Sequence, residues 1–588
     1  MSILQTPFFI AKKEGSPVIH FRKEAYALKK KRDLLFPGLL VLLAVILAVR
    51  AFYGFCWSDE SFYLTFSHRL WTGQQLIVDE WHPVQFYAAM LHPVFTAYRF
   101  LFGVTGIYLF ARLSYVALAL AVALFCYKTM VRYYASGAAF LCAAIYLSYS
   151  RGNIWGLSYY NLFLTLLVLA LCLLLRCENA AGRQRRLFLS GLCLAGSVLC
   201  VPYFAVAVIL ALGVGLFTRR RKDALWICAG VASAAAAFVL FFLPRDLGAV
   251  VENLRYILSD PEHTQGPLAI FLVNFRDVLY LYHRELLAAL LITAAVLVGK
   301  GLLPSVPSEP VCMVAITVGA ALSLWRYRSA EAGFLNYTLV IYCLPLLALS
   351  WVTRRIDYRA LAVRALGVTM GLCFGLSSNT EAMAFTIGLA MYAMGTVLQL
   401  EYLTRQGRER RYRLWGMALV CLCLVMTMQT RITQVYRDGP LSTLDTVMEQ
   451  GPAAGIHTTT VHAEQYEGLL ALLEELDSTY SPENSIFISK LMPWGYLVTD
   501  IPCGAPTAWR TAMDSPRLES YYTEHPDRIP EIVVILSAEV GESPDKLNLN
   551  ENTHSGWLWD YMTENQYEKT EHAYAEVYDA PWAIRKEK

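Results

Sequence analysis

The sequence predicts an α-helical polytopic membrane protein of about thirteen transmembrane helices, joined to a small C-terminal α/β domain outside the membrane. Three observations carry this. The 588 residues are 56% hydrophobic, with a mean hydropathy of +0.41. Apolar stretches of about 20 residues, enough to cross a bilayer core of about 30 Å, recur along the chain. They centre near 34–53, 106–127, 137–150, 156–175, 187–200, 201–217, 224–243, 285–303, 311–325, 334–351, 360–376, 383–400 and 413–429. Clusters of Lys and Arg then fall on alternate sides of these stretches, at 29–32, 182–186, 218–222, 353–359 and 405–413.

Taken in order, residues 1–33 form a basic segment that the positive-inside rule places in the cytoplasm. Residues 34–430 hold the spans, with long outer loops at 54–105 and 244–284. The fifth and sixth stretches are short and could be one hairpin broken at Val201–Pro202, because proline lacks the N–H that a helix interior needs. The first apolar run is too long and too far from the start for a cleaved signal peptide. Residues 431–588 then face outward. They carry 26 Asp and Glu against 11 Lys and Arg, a net charge of about −15, so the remainder is about +18. A basic inner side and an acidic outer domain exclude a nucleic-acid binder. The 14 cysteines fall mostly in or beside apolar runs, where cysteine acts as a small hydrophobe. In the outer domain, 463–478 has helical spacing, and 485–490 and 531–537 read as strands.

The first outer loop concentrates the chemistry. "CWSDESFYLTFSHRLW" (56–71) sets Asp59 and Glu60 directly after the first span, and "VDEWHPVQ" (78–85) adds Asp79, Glu80 and His82. Phe62, Phe66 and Leu70 recur at helical spacing, and 83–103 is a second apolar, aromatic stretch. Both suit helices lying in the membrane interface. Asp59 or Ser58 could serve only as a helix N-cap. A carboxylate held just outside the bilayer could equally act as a general base toward a hydroxyl. His82, His263 and His283 lie on the same side and could ligate or protonate a substrate.

These features together resemble the GT-C superfamily, polytopic glycosyltransferases that use polyprenyl-phosphate sugars, and within it the group that includes the protein O-mannosyltransferases and the lipid A aminoarabinose transferase. The resemblance rests on the acidic pair after the first span, the acidic-His-Pro element before the second, and Arg112 inside "ARLSYVALAL" (111–120). It also rests on the short helix pair at 190–210 and on "WRYRSAEAGFLNYTLVIYCLPLL" (325–347). It implies Asp59 as the catalytic base, with Asp79 or Glu80 as the second acid. Glu60, His82, Arg112, His263 and Tyr337 are implied to bind substrate, and Arg326 or Arg328 to meet the lipid phosphate. Val84 departs from the group, which usually has a second proline there.

The implied partners are a polyprenyl-phosphate sugar, membrane lipids, and a glycan, lipid or protein acceptor. The implied location is a bacterial plasma membrane. No cofactor is called for, although a divalent metal could replace Arg or Lys in meeting the departing charge. The alternative reading is a transporter, lipid flippase or polymer ligase of the envelope.

Overall fold

The computed structural model describes residues 17–178, 182–218, 220–258, 266–302, 309–326, 337–378, 380–404, 410–489, 492–509, 512–537, 540 and 554–586. Helices dominate up to residue 433: α1 (Pro17–Arg50), α2 (Asp59–Trp71), α3 (Ala88–Phe102), α4 (Ile107–Met130), α5 (Ser136–Ser148), α6 (Tyr159–Leu175), α7 (Arg183–Cys200), α8 (Ala205–Phe217), α9 (Arg221–Phe242), α10 (Leu247–Leu258), α11 (Pro267–Leu302) and α12 (Glu309–Arg326). After these come α13 (Thr338–Tyr342), α14 (Leu344–Val352), α15 (Tyr358–Gly375), α16 (Leu389–Leu403) and α17 (Arg410–Thr433). Among the described residues, five helical segments are long and apolar enough to cross a membrane, and six shorter apolar helices accompany them. Their outward faces carry fully presented hydrophobes such as Phe217, Leu240 and Phe241, which only lipid can cover favourably. The chain is an integral membrane protein.

Local chemistry explains the breaks. α7 stops at Cys200, Val201 is extended, and Pro202 opens a single 3-10 turn before α8. α7 and α9 approach so closely that a Cβ on Gly191 would lie 2.1 Å from the Ile227 carbonyl oxygen. Small residues of this kind let membrane helices pack backbone to backbone.

Beyond α17 the chain forms a hairpin of β1 (Gln434–Val435) and β2 (Gly439–Pro440), then a pair of β3 (Thr446–Val447) and β4 (His457–Thr458). Helix α18 (Thr460–Thr479) precedes a four-stranded sheet of β5 (Ile486–Ile488), β6 (Ile532–Leu536), β7 (Glu568–Glu571) and β8 (Ala575–Asp579) in the order β5-β6-β8-β7. β5 and β6 are parallel and the other pairs antiparallel. All five residues of β6 are buried, as a central strand covered on both faces requires.

The C-terminal region packs onto the first outer loop, and this corrects the expected interfacial position of its first helix. Every residue of α2 from Glu60 to Arg69 is buried. The helix lies between α3 and the short helix Gly495–Val498, with no face turned to lipid. Its polar side chains find partners in the C-terminal region: Thr65 donates to the Pro493 carbonyl and Arg69 to that of Ala505. α3, by contrast, exposes Val94, Phe100, Leu101 and Phe102, so its apolar side remains available to lipid. The N-cap of α2 is Ser58, which makes no side-chain cap bond. Asp59 stands inside the first turn, where its charge meets the positive end of the helix.

Candidate active site

Three of the four loop carboxylates are locked. Glu60 takes Nε and Nη2 of Arg112 at 2.6 and 2.5 Å, one on each oxygen. Arg112 gives its remaining donors to the carbonyls of Ala51 and Gly54 at 2.7 and 2.6 Å. This pair pins the start of α2 to α4 and to the chain reversal after α1. Glu80 accepts from Arg69 Nη1 at 2.9 Å on one oxygen and from the His82 backbone N–H at 3.0 Å on the other. Burial raises its carboxyl above the ordinary value against the pull of Arg69. Asp79 accepts from the Gln75 N–H at 2.7 Å and pairs through its other oxygen with Arg528 Nε at 3.1 Å.

Asp59 differs. Its side chain is 20% exposed. Oδ2 accepts from the Tyr436 hydroxyl at 3.0 Å and lies 3.4 Å from Arg437 Nη1. No hydrogen bond reaches Oδ1 from the described residues. Among the described residues it is the one loop carboxylate with an oxygen that accepts no hydrogen bond.

The surroundings of Asp59 are phenolic. Tyr63 follows one helical turn later, on the same face of α2. Its ring lies 5.6 Å from Tyr159 and 6.3 Å from Tyr160, which stack on each other at 3.9 Å. Burial holds the Tyr63 phenol well above its ordinary value, with Asp59 adding to the effect, so it stays a neutral donor. Arg151 closes this wall, its guanidinium 4.3 Å from the Tyr160 ring.

Tyr436 and Arg437 come from a part of the chain the sequence reading did not connect with the site. They sit at the tip of the β1–β2 hairpin. Asp438 anchors the tip by accepting from the Phe55 N–H at 2.8 Å, Thr458 Oγ1 at 2.9 Å and His462 Nδ1 at 2.7 Å. Arg437 adopts φ +59°, an uncommon region for a non-glycine residue, and donates to Ser58 Oγ at 2.6 Å. Gly54 admits the hairpin: at φ +87° it is left-handed, and a Cβ there would fall 1.9 Å from Val435 Cγ1. The only local signal for this contact was the compact "YRDG" turn at 436–439.

His82 is half-buried, its Nδ1 accepting from the Val84 N–H at 3.3 Å and its ring 4.8 Å from Phe62. Val84, where the usual proline is missing, thus uses the N–H that proline would lack. Tyr337 is buried away from the acids and donates to the Ala382 carbonyl. Arg326 ends α12 with its side chain outside the described set, and Arg328 and His263 lie outside the described residues altogether. Among the described residues no group of three or more His, Cys, Asp or Glu could hold a metal ion.

No family model matches the chain, and no curated protein matches it. Solved structures do resemble it over most of its length. ArnT from Cupriavidus metallidurans in the apo state is 13% identical with a TM-score of 0.39, covering 92% of this chain and 97% of that one. The same protein bound to undecaprenyl phosphate covers 94% and 99%, at TM-score 0.39 and 13% identity. The archaeal oligosaccharyltransferase AglB from Archaeoglobus fulgidus, in complex with an inhibitory peptide and a dolichol-phosphate, is 13% identical at TM-score 0.42 and covers 85% and 69%. Both proteins are GT-C members. At these scores the likeness is one of general plan and assigns no residue.

Proposed function

We propose that this protein is a membrane glycosyltransferase. It moves a sugar from a polyprenyl-phosphate donor to an acceptor hydroxyl on the outer face of the membrane. One observation carries the reading: of four carboxylates gathered just outside the first span, only Asp59 keeps an oxygen without a partner among the described residues. The acceptor hydroxyl attacks the anomeric carbon, Asp59 takes its proton, and the lipid phosphate departs. Tyr436 and Arg437 hold and orient Asp59. Asp79 and Glu80, with Arg528 and Arg69, shape the loop behind it, and His82 lies against the same helix. Arg326 and Arg328 remain sequence candidates for the lipid phosphate, and His263 and Tyr337 for substrate contact. A transporter would need a charge working within the membrane. Arg112, the clearest mid-span candidate, has its donors engaged by Glu60, Ala51 and Gly54.

The test is Asp59→Asn in the purified protein, assayed with a panel of polyprenyl-phosphate hexoses and pentoses and with envelope extracts as acceptor. Asparagine can still accept from Tyr436, so the fold survives. Loss of a general base lowers the rate by about 10²–10⁴-fold. Transfer at near-parental rate by a folded Asp59→Asn would remove Asp59 from the chemistry.

A further inference from the structure

Among the described residues, Arg151 is a buried cation without an anion. It is 9% exposed and sits in the turn Arg151–Asn153 after α5. Among the described residues no carboxylate pairs with it. Its Nε has no hydrogen-bond partner, and one Nη2 bond goes to the neutral hydroxyl of Thr380 at 2.6 Å. Aromatic rings flank the guanidinium, Tyr160 at 4.3 Å and Phe374 at 4.9 Å. Rings attract a cation but do not neutralise it. Two other buried arginines contrast with it: Arg69 and Arg112, 2% and 6% exposed, each meet a carboxylate. A buried charge left uncompensated is destabilising, and a fold retains one where something else supplies the counter-charge.

Its place says what that something is. The Tyr160 ring beside Arg151 stacks on Tyr159 at 3.9 Å, and both lie within 6.3 Å of the Tyr63 ring. Tyr63 stands one helical turn after Asp59 on the same face of α2. A row of contacting tyrosine rings therefore joins Arg151 to the helix turn that carries Asp59. A planar fork matches the oxygens of a phosphoryl group bidentately, and the phenols add neutral donors without competing negative charge. We infer that Arg151, with Thr380 and the facing tyrosines, is a binding site for a phosphate-bearing ligand, joined to the Asp59 turn by that row of rings. This rests on the proposed transfer reaction, in which a phosphate leaves as a proton is taken up at Asp59. It moves the phosphate contact from the 325–347 loop to the turn after α5.

The experiment measures binding to the purified full-length protein with three probes: a polyprenyl phosphate, the matching neutral polyprenol, and inorganic phosphate as competitor. Arg151→Gln should weaken the polyprenyl phosphate by about 10- to 100-fold, the effect of losing hydrogen bonds to a charged group, and leave the polyprenol unchanged. Competition by inorganic phosphate would show that the phosphoryl group alone suffices. Its failure, with lipid binding still lost in Arg151→Gln, would show that the lipid headgroup is the ligand. Parental affinity of Arg151→Gln for the polyprenyl phosphate overturns the site. Should Arg151→Gln not fold, Arg151→Lys keeps the charge without the fork: several-fold weaker binding supports the site, and parental binding overturns it. The same preparations separate this inference from the reaction. Loss of phosphate binding in Arg151→Gln beside undiminished transfer by Asp59→Asn would retire the base and keep the site.

Discussion

Glu60→Gln is the substitution whose cost the structure sets most directly. Glu60 and Arg112 are 3% and 8% exposed, and two short charge-assisted bonds join them. The amide keeps the shape but removes the negative charge, leaving the Arg112 guanidinium uncompensated in the interior. Breaking a buried pair this way costs about 3–5 kcal/mol. Two hydrogen bonds to charged groups, at about 1.5–3 kcal/mol each, give the same range. The folded-to-unfolded ratio should fall by about 10²–10⁴-fold. Arg112 still donates to Ala51 and Gly54, so molecules that do fold should transfer sugar at the parental rate. Replacing both residues with methionine removes both buried charges and should recover much of the loss. The assay is denaturant unfolding in mixed micelles followed by tryptophan fluorescence, with activity normalised to the folded fraction. A Glu60→Gln protein within about 1 kcal/mol of the parent, or a double variant no more stable than the single one, would refute the claim that this pair organises the loop.

Two further outcomes are expected. Burial, reinforced by the adjacent Arg99 that donates to its Nδ1, holds His68 well below the ordinary histidine value. The unfolded chain binds a proton near pH 6.5 where the folded chain does not, so stability should fall as pH drops below about 6.5, by at most about 1.4 kcal/mol per unit. Glu80, raised by burial, acts oppositely and only above its own unfolded value, so His68→Gln should flatten the slope between pH 6.5 and 5.5; an unchanged slope assigns it elsewhere. For orientation, the Asp527 side chain is 74% exposed, and Asp527→Cys should react with an impermeant thiol reagent in intact cells. Reaction only after permeabilisation would place the C-terminal region inside.

What the sequence made legible is what neighbours in the chain decide. The apolar run 531–537 became the buried strand Ile532–Leu536, and the spacing in 463–478 became Thr460–Thr479, because both patterns are local. The gathering of acids after the first span was also visible. Their differences were not, since each depends on a distant partner: Arg112 for Glu60, Arg528 for Asp79, Tyr436 for Asp59. The placement of α2 failed for the same reason. Phe62, Phe66 and Leu70 would suit a lipid surface, but Ser67, His68 and Arg69 belong to a face buried under the C-terminal region. No motif marks Arg151 in the sequence, and its lack of a carboxylate partner among the described residues shows only when the neighbours are known.

The hairpin tip at 436–438 has a consequence for when activity can begin. Tyr436 lies 377 residues after the carboxylate it contacts. At ribosomal rates of about 5–20 residues per second, that interval is roughly 20–75 s. Throughout it Asp59 is already synthesised but lacks the groups that hold it. Glu60 and Arg112, by contrast, can meet as soon as the second span is inserted. The nascent protein thus carries a formed scaffold before the proposed base is held, and that hold forms only after α17 has been made and the segment beyond it has folded back onto the first loop.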